Sequence, residues 1–81
     1  MAARVELPER ATAEYMYGLL AYSTWNVYDG RQQIGQVTIN GPDNSAYWTP
    51  FVDGEPVFPA YPANSFGWWL KWLRRHRHDP F

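Results

Sequence analysis

The stretch TWNVYDGRQQIGQVTIN, residues 24 to 40, constrains the fold more than any other part of the chain. Trp25, Val27 and Tyr28 are strand formers, and Asp29-Gly30 supplies the positive φ angles that a tight hairpin turn requires. The chain must reverse near residue 30. On the return, Gln36-Val37-Thr38-Ile39-Asn40 alternates polar and apolar, which aims Val37 and Ile39 at a core and leaves Gln36 and Thr38 on a wet face. A half-buried antiparallel hairpin is the expectation.

Turn chemistry continues the pattern. Asn40-Gly41-Pro42-Asp43-Asn44 is a dense cluster of loop residues, and SAYWTPFVDGEPVF then offers a further strand through Tyr47, Trp48 and Phe51. Pro50 cannot donate to a ladder and predicts an edge or bulge position. Asp53-Gly54 marks a second reversal. The strands are expected at about 24–28, 34–40 and 46–52. Pro56, Pro59 and Pro62, spaced by three, predict an extended, irregular connection over 56–62.

Two segments read as helices. Pro8-Glu9-Arg10 suits a first helical turn, and Thr12, Tyr15, Met16 and Leu19 recur at i, i+3, i+4 and i+7, which predicts a helix over about 8–21. Gly18 weakens such a helix by about 1 kcal/mol relative to Ala, although a small residue there allows close packing. Asn64 or Ser65 can cap a last helix over about 65–77, whose core face is Phe66, Trp69, Leu70 and Leu73. The expected architecture is α+β: a small two-layer domain with an N-terminal helix, a three-stranded antiparallel β-meander and a C-terminal helix. All 81 residues form a single domain in this reading.

The core must be aromatic. Fifteen of the residues are Trp, Tyr or Phe, there is no Cys to make a bridge or a thiolate ligand, and a domain this small has few other means of burying surface. No apolar run is long enough to span a bilayer, and residues 1 to 6 lack the apolar core of a signal peptide, so cytoplasm is the default compartment.

Charge is unevenly distributed although the net value is only -1. Residues 1 to 70 carry seven carboxylates against three arginines, a net -4, and residues 71 to 81 carry four cations against Asp79, a net +3. The body is acidic and the end is basic.

Catalytic chemistry finds little support. His76 and His78 lie in the basic tail, where nothing is expected to desolvate or orient them, and no Gly-rich phosphate loop, nucleophile elbow or His-Glu-x-x-His pattern occurs. His76, His78 and Asp79 do not share a helix face and have no further His or Cys to complete a metal shell. No cofactor is expected. Asp29 and Asp53 are accounted for by turn chemistry, in which each carboxylate bonds its own backbone, and Glu9 and Glu14 by the solvated side of the first helix.

The aromatic and basic stretch GWWLKWLRRHRH, residues 67 to 78, carries the functional expectation. On a helical wheel, with Phe66 at the origin, Trp68 and Trp72 fall near 200° and 240° and border Lys71, Arg74 and Arg75, which cover roughly 80° to 180°. The candidate partner-binding residues are therefore Trp68, Trp72, Lys71, Arg74 and Arg75. Trp, Tyr and Arg dominate protein hot spots, so a non-catalytic protein-binding module is the leading expectation. Tyr22, Tyr28, Tyr47 and Tyr61 are secondary contact candidates, as are the acidic loops and the Gln36 and Thr38 face. By class-level analogy, small single domains without a catalytic set are frequent among phage and mobile-element inhibitors of host machinery, anti-CRISPR proteins being one example. The alternative is nucleic-acid binding by the basic aromatic helix, which the -4 body disfavours. A membrane-surface role ranks third, because a small core needs the apolar side of that helix. Homodimerisation through a sheet edge or the Trp68 and Trp72 strip is also open to such a chain.

Overall fold

A computed structural model describes residues 3–19 and 22–77. Four long strands run in sequence, β1 (Thr12–Leu19), β2 (Tyr22–Asp29), β3 (Gln32–Asn40) and β4 (Ser45–Val52). Two short ones follow, β5 (Glu55–Pro56) and β6 (Tyr61–Pro62), and then one helix, α1 (Phe66–His76). All neighbouring strands pair antiparallel in the order β1-β2-β3-β4-β5, with β6 beside β5 on the outer side of β4.

The expected N-terminal helix does not form. Residues 12–19 are an edge strand, residues 20 and 21 of the expected helix lie outside the described residues, and the fold is mostly β with one helix. The physical reason is a competing period of two: Ala11, Ala13 and Tyr15 point at the core and Glu14 and Met16 at the opposite face, which Tyr17 joins only through a bulge. Pro8 does not open a helix but a turn, its carbonyl accepting from the Ala11 N–H at 3.0 Å. Gly18 has φ +107°, a value no helix contains, and the β1–β2 register shifts between Tyr15 and Tyr17.

The expected strands fall inside β2, β3 and β4. Gly30 (φ +66°) is the first residue of a two-residue β2–β3 loop, the position at which a type II′ turn requires glycine, so Asp29 closes the strand instead of bending it. Its carboxylate is held by Arg10 Nε at 2.6 Å, not by its own backbone as turn chemistry suggests. Asp53 and Gly54 both take positive φ, +54° and +81°, as a type I′ hairpin requires. The proline-rich connection is also more ordered than expected, since β5 and β6 within it close the outer edge of β4.

Pro50 sits in an interior strand. Its carbonyl accepts from the Val57 N–H at 2.8 Å on the outer side, so its nitrogen faces the gap between β5 and β6 and costs no hydrogen bond to β3.

One face of the sheet is the core. Ala13, Trp25, Val27, Val37, Ile39, Ala46 and Trp48 cluster there with Trp69, Trp72 and Leu73 of α1. The Trp48 and Trp69 rings stack at 5.6 Å, and Trp69, fully buried, donates its indole N–H to the Ala63 carbonyl at 2.8 Å. Trp25 meets Tyr15 edge-on at 5.5 Å and donates to Ser23 Oγ at 2.9 Å. Trp25 and Trp69 thus have their indole N–H groups satisfied, which lets these two large rings fill the core without stranding a donor.

The other face carries polar cross-strand rows. Tyr17, Thr24, Thr38 and Tyr47 stand side by side across β1 to β4, with the two threonine hydroxyls 3.0 Å apart. In the next row Asn26 accepts from Gln36 at 3.2 Å and from Gln33 at 2.9 Å. Among the described residues no helix packs on this side.

Candidate functional site

The helix that builds the site is tied down at both ends. Ser65 is the N-cap, its Oγ accepting from the Trp68 N–H at 3.1 Å, and Arg77 is the C-cap, its N–H donating to the Leu73 carbonyl at 3.0 Å. Arg77 also forms a parallel bridge with Ala13, which fixes the basic end of α1 against the sheet edge. Arg74, Arg75 and His76 occupy the last turn, where cations complement the negative end of the helix dipole.

Asn64 does not cap the helix but clamps the N-terminal segment. Its side-chain amide accepts from the Val5 N–H at 3.0 Å and donates to the Val5 carbonyl at 3.1 Å, imitating a strand partner. The backbone continues the same pairing, with Ala3 N–H to Pro62 carbonyl at 3.0 Å and Asn64 N–H to Ala3 carbonyl at 2.8 Å. Asn64 has φ +54°, a conformation that asparagine tolerates better than most residues.

Along α1 a ladder of rings runs at helical spacing. Trp68 stacks on Trp72 at 6.3 Å with planes 11° apart, and Trp72 stacks on His76 at 4.4 Å and 10°. Both indoles also meet Trp69 edge-on, at 4.9 and 5.8 Å, so the ladder is continuous with the core. The His76 imidazole is oriented by its Nδ1, which donates to the Trp72 carbonyl at 2.8 Å.

Four of the five residues expected to bind a partner come together. Trp68, Lys71, Trp72 and Arg75 line one groove of about 200 Å³ with His76, whereas Arg74 is exposed outside it. Their exposures differ: Trp68 is 38% exposed and Trp72 only 8%, so Trp68 alone presents a ring face. Trp68 also borders a second cleft, of about 580 Å³, between α1 and the N-terminal segment, with Val5 and Leu7 as apolar wall and Arg4, Glu6 and Asn64 around them.

Two parts of this site escape the sequence reading. His76, expected in a basic tail with nothing to orient it, instead completes the stack; its place at i+8 from Trp68 and i+4 from Trp72 is the signal that shows it. The N-terminal wall has no local signal, since Val5 and Asn64 are 59 positions apart.

The remaining candidates lie elsewhere. Tyr22 and Tyr47 are exposed on the open sheet face, and Tyr61 is half-buried against the core. Glu14, expected on a helix surface, lies on that sheet face and accepts from the Tyr28 hydroxyl at 3.2 Å. Burial, and then the Glu14 charge, raise the Tyr28 phenol above its usual value of 10.0. Among the described residues no three His, Cys, Asp or Glu side chains are grouped to hold a metal ion, and His78 and Asp79 lie outside them. No described helix is long and apolar enough to cross a membrane.

None of the protein-family models, curated proteins or solved structures compared with the chain matches it.

Proposed function

We propose that this chain is a non-catalytic protein-binding module whose partner seats on α1 at Trp68, beside Lys71 and Arg75. The observation that carries the reading is the exposed Trp68 ring at the junction of two clefts, with two cations beside it and a rigid aromatic stack beneath. A rigid aromatic anchor with cations beside it is the composition of a binding hot spot. Ser65, whose Oγ caps the helix, and His76 stand at opposite ends of α1, too far apart to act as a nucleophile and its base. An inhibitor of host machinery, acting by occupying a partner's surface, is the biological role that fits a module of this size.

Titration of the full chain with mixed-sequence DNA and RNA, followed by tryptophan fluorescence at low and physiological salt, tests the reading first. No response at either salt is expected. Binding that weakens steeply with salt would transfer the site to nucleic acid, because phosphate contacts release counterions. Affinity capture of partner proteins is then expected to be lost with Trp68→Ala and with Lys71→Glu/Arg75→Glu, and retained with Arg74→Glu. Capture indifferent to all three variants defeats the proposal.

A further inference from the structure

Resting on that reading, we infer that the partner contributes an extended acidic segment carrying one bulky apolar side chain, laid across Trp68 along the α1 axis. The apolar side chain enters the cleft walled by Val5, Leu7 and Trp68, and the carboxylates meet Lys71 and Arg75.

Three observations converge on this occupant. The two clefts share Trp68, so they form one track from the N-terminal segment to the last turn of the helix. From Ser65 to Arg75 that track is about 15 Å long at the helical rise, a length that four or five extended residues span. A chain in strand conformation fits it. The ends of the track differ in chemistry. Among the described residues no carboxylate lines the groove of Lys71 and Arg75, whereas in the larger cleft Glu6 stands against Arg4, beside Val5, Leu7 and Trp68. Complementarity therefore asks for negative charge at the Lys71 and Arg75 end, and at the charge-balanced Arg4 and Glu6 end for an apolar side chain against Val5, Leu7 and Trp68.

The third observation separates a peptide from a nucleic-acid strand. Stacking of successive bases needs successive free ring faces. Here Trp72 is covered by Trp68 on one side and His76 on the other, and only Trp68 is open. Glu6 in the larger cleft, 3.9 Å from Arg4, also opposes a continuous run of phosphates. One anchor and a few spaced charges describe a peptide.

The test uses the immobilised full chain against a random peptide-display library, followed by fluorescence titration of the most enriched peptide. Enriched sequences are expected to carry two or more Asp or Glu close to a Leu, Phe, Tyr or Trp. Lys71→Glu/Arg75→Glu is expected to weaken the peptide by at least about tenfold, and Arg74→Glu by less than about twofold. Both variants change exposed charges and leave the core untouched. An Asn and Gln version of the peptide is expected to lose affinity to a similar degree. Neutral or basic enriched sequences, acidic ones indifferent to the Lys71 and Arg75 changes, or no enrichment would each overturn the inference. If no acidic peptide binds while captured partners still depend on Trp68, Lys71 and Arg75, the inference fails and the protein-binding reading stands. Capture indifferent to those residues removes both.

Discussion

The Trp48 indole lies across Gly35 so closely that a Cβ on that glycine would fall inside the ring's van der Waals surface. Gly35 pairs with Pro50 on β4 and Val27 on β2, and Trp48 is held from above by its stack on Trp69. The glycine supplies space, not an unusual backbone angle.

Gly35→Ala is therefore expected to destabilise the fold by about 1–3 kcal/mol, the range for overpacking a filled core. In a domain of this size that lowers Tm by roughly 4–8 °C per kcal/mol. Urea unfolding followed by tryptophan fluorescence measures it. The same substitution in a Trp48→Ala background is expected to cost less, because the clash is gone; equal costs in both backgrounds would show that the two residues are not coupled.

The Asn64 clamp gives a second expectation. Asn64→Gly keeps the positive φ but deletes both hydrogen bonds to Val5, at a cost of about 1–2 kcal/mol for the pair. Amide exchange is expected to accelerate at Ala3 and Val5 before it does in β2 and β3, since only the N-terminal segment loses its partner. Uniform acceleration across the sheet would mean that the clamp supports the whole fold. Asn64→Ala should cost more than Asn64→Gly, because alanine also resists the left-handed backbone.

Tyr28 makes stability depend on high pH. Its phenol is kept neutral in the folded chain chiefly by burial and then by the nearby Glu14 carboxylate. The unfolded chain ionises first as pH rises past 10, so this contribution is whole below that value and is lost as pH climbs through the raised folded value. In an ultraviolet absorbance titration, Tyr28→Phe is expected to remove a high-titrating component from the signal of the six tyrosines. Glu14→Gln should lower that component only part-way, since burial, the larger cause, persists. An unchanged titration in Tyr28→Phe would contradict the assignment.

The sheet was legible where turn residues and alternation agree, and illegible where two periods fit the same residues. In TAEYMYGL, Tyr15, Met16 and Leu19 satisfy helical spacing, while Ala13 and Tyr15 against Glu14 and Met16 satisfy a strand, an alternation that the bulge before Tyr17 then breaks. Tertiary pairing with β2 decides the matter, and Gly18 with its positive φ was the local clue. At α1 the wheel angles placed Trp68, Lys71, Trp72 and Arg75 together, and extending the wheel to His76, near 280° between Trp72 and Trp69, gives the stacking partner that the tail reading missed. The second cleft was out of reach because its walls come from opposite ends of the chain, joined through Asn64.

Three tryptophans within five positions divide their duties, and conservative substitution should separate them. Trp69 is fully buried, and its N–H satisfies the Ala63 carbonyl, so Trp69→Phe leaves both a cavity and an unpaired acceptor. The expected loss is about 2–4 kcal/mol, a large share of what a domain this small has in total. Trp68→Phe removes a half-exposed ring edge with no buried polar partner and is expected to cost less than about 1 kcal/mol. Partner binding should show the reverse order: Trp68→Phe weakens it at concentrations where the protein is fully folded, and Trp69→Phe acts only in proportion to the unfolded fraction. Chemical denaturation and binding measured on the same two variants check both halves. A Trp69→Phe protein that is folded yet binds less well than Trp68→Phe would move the anchor from the exposed ring to the buried one.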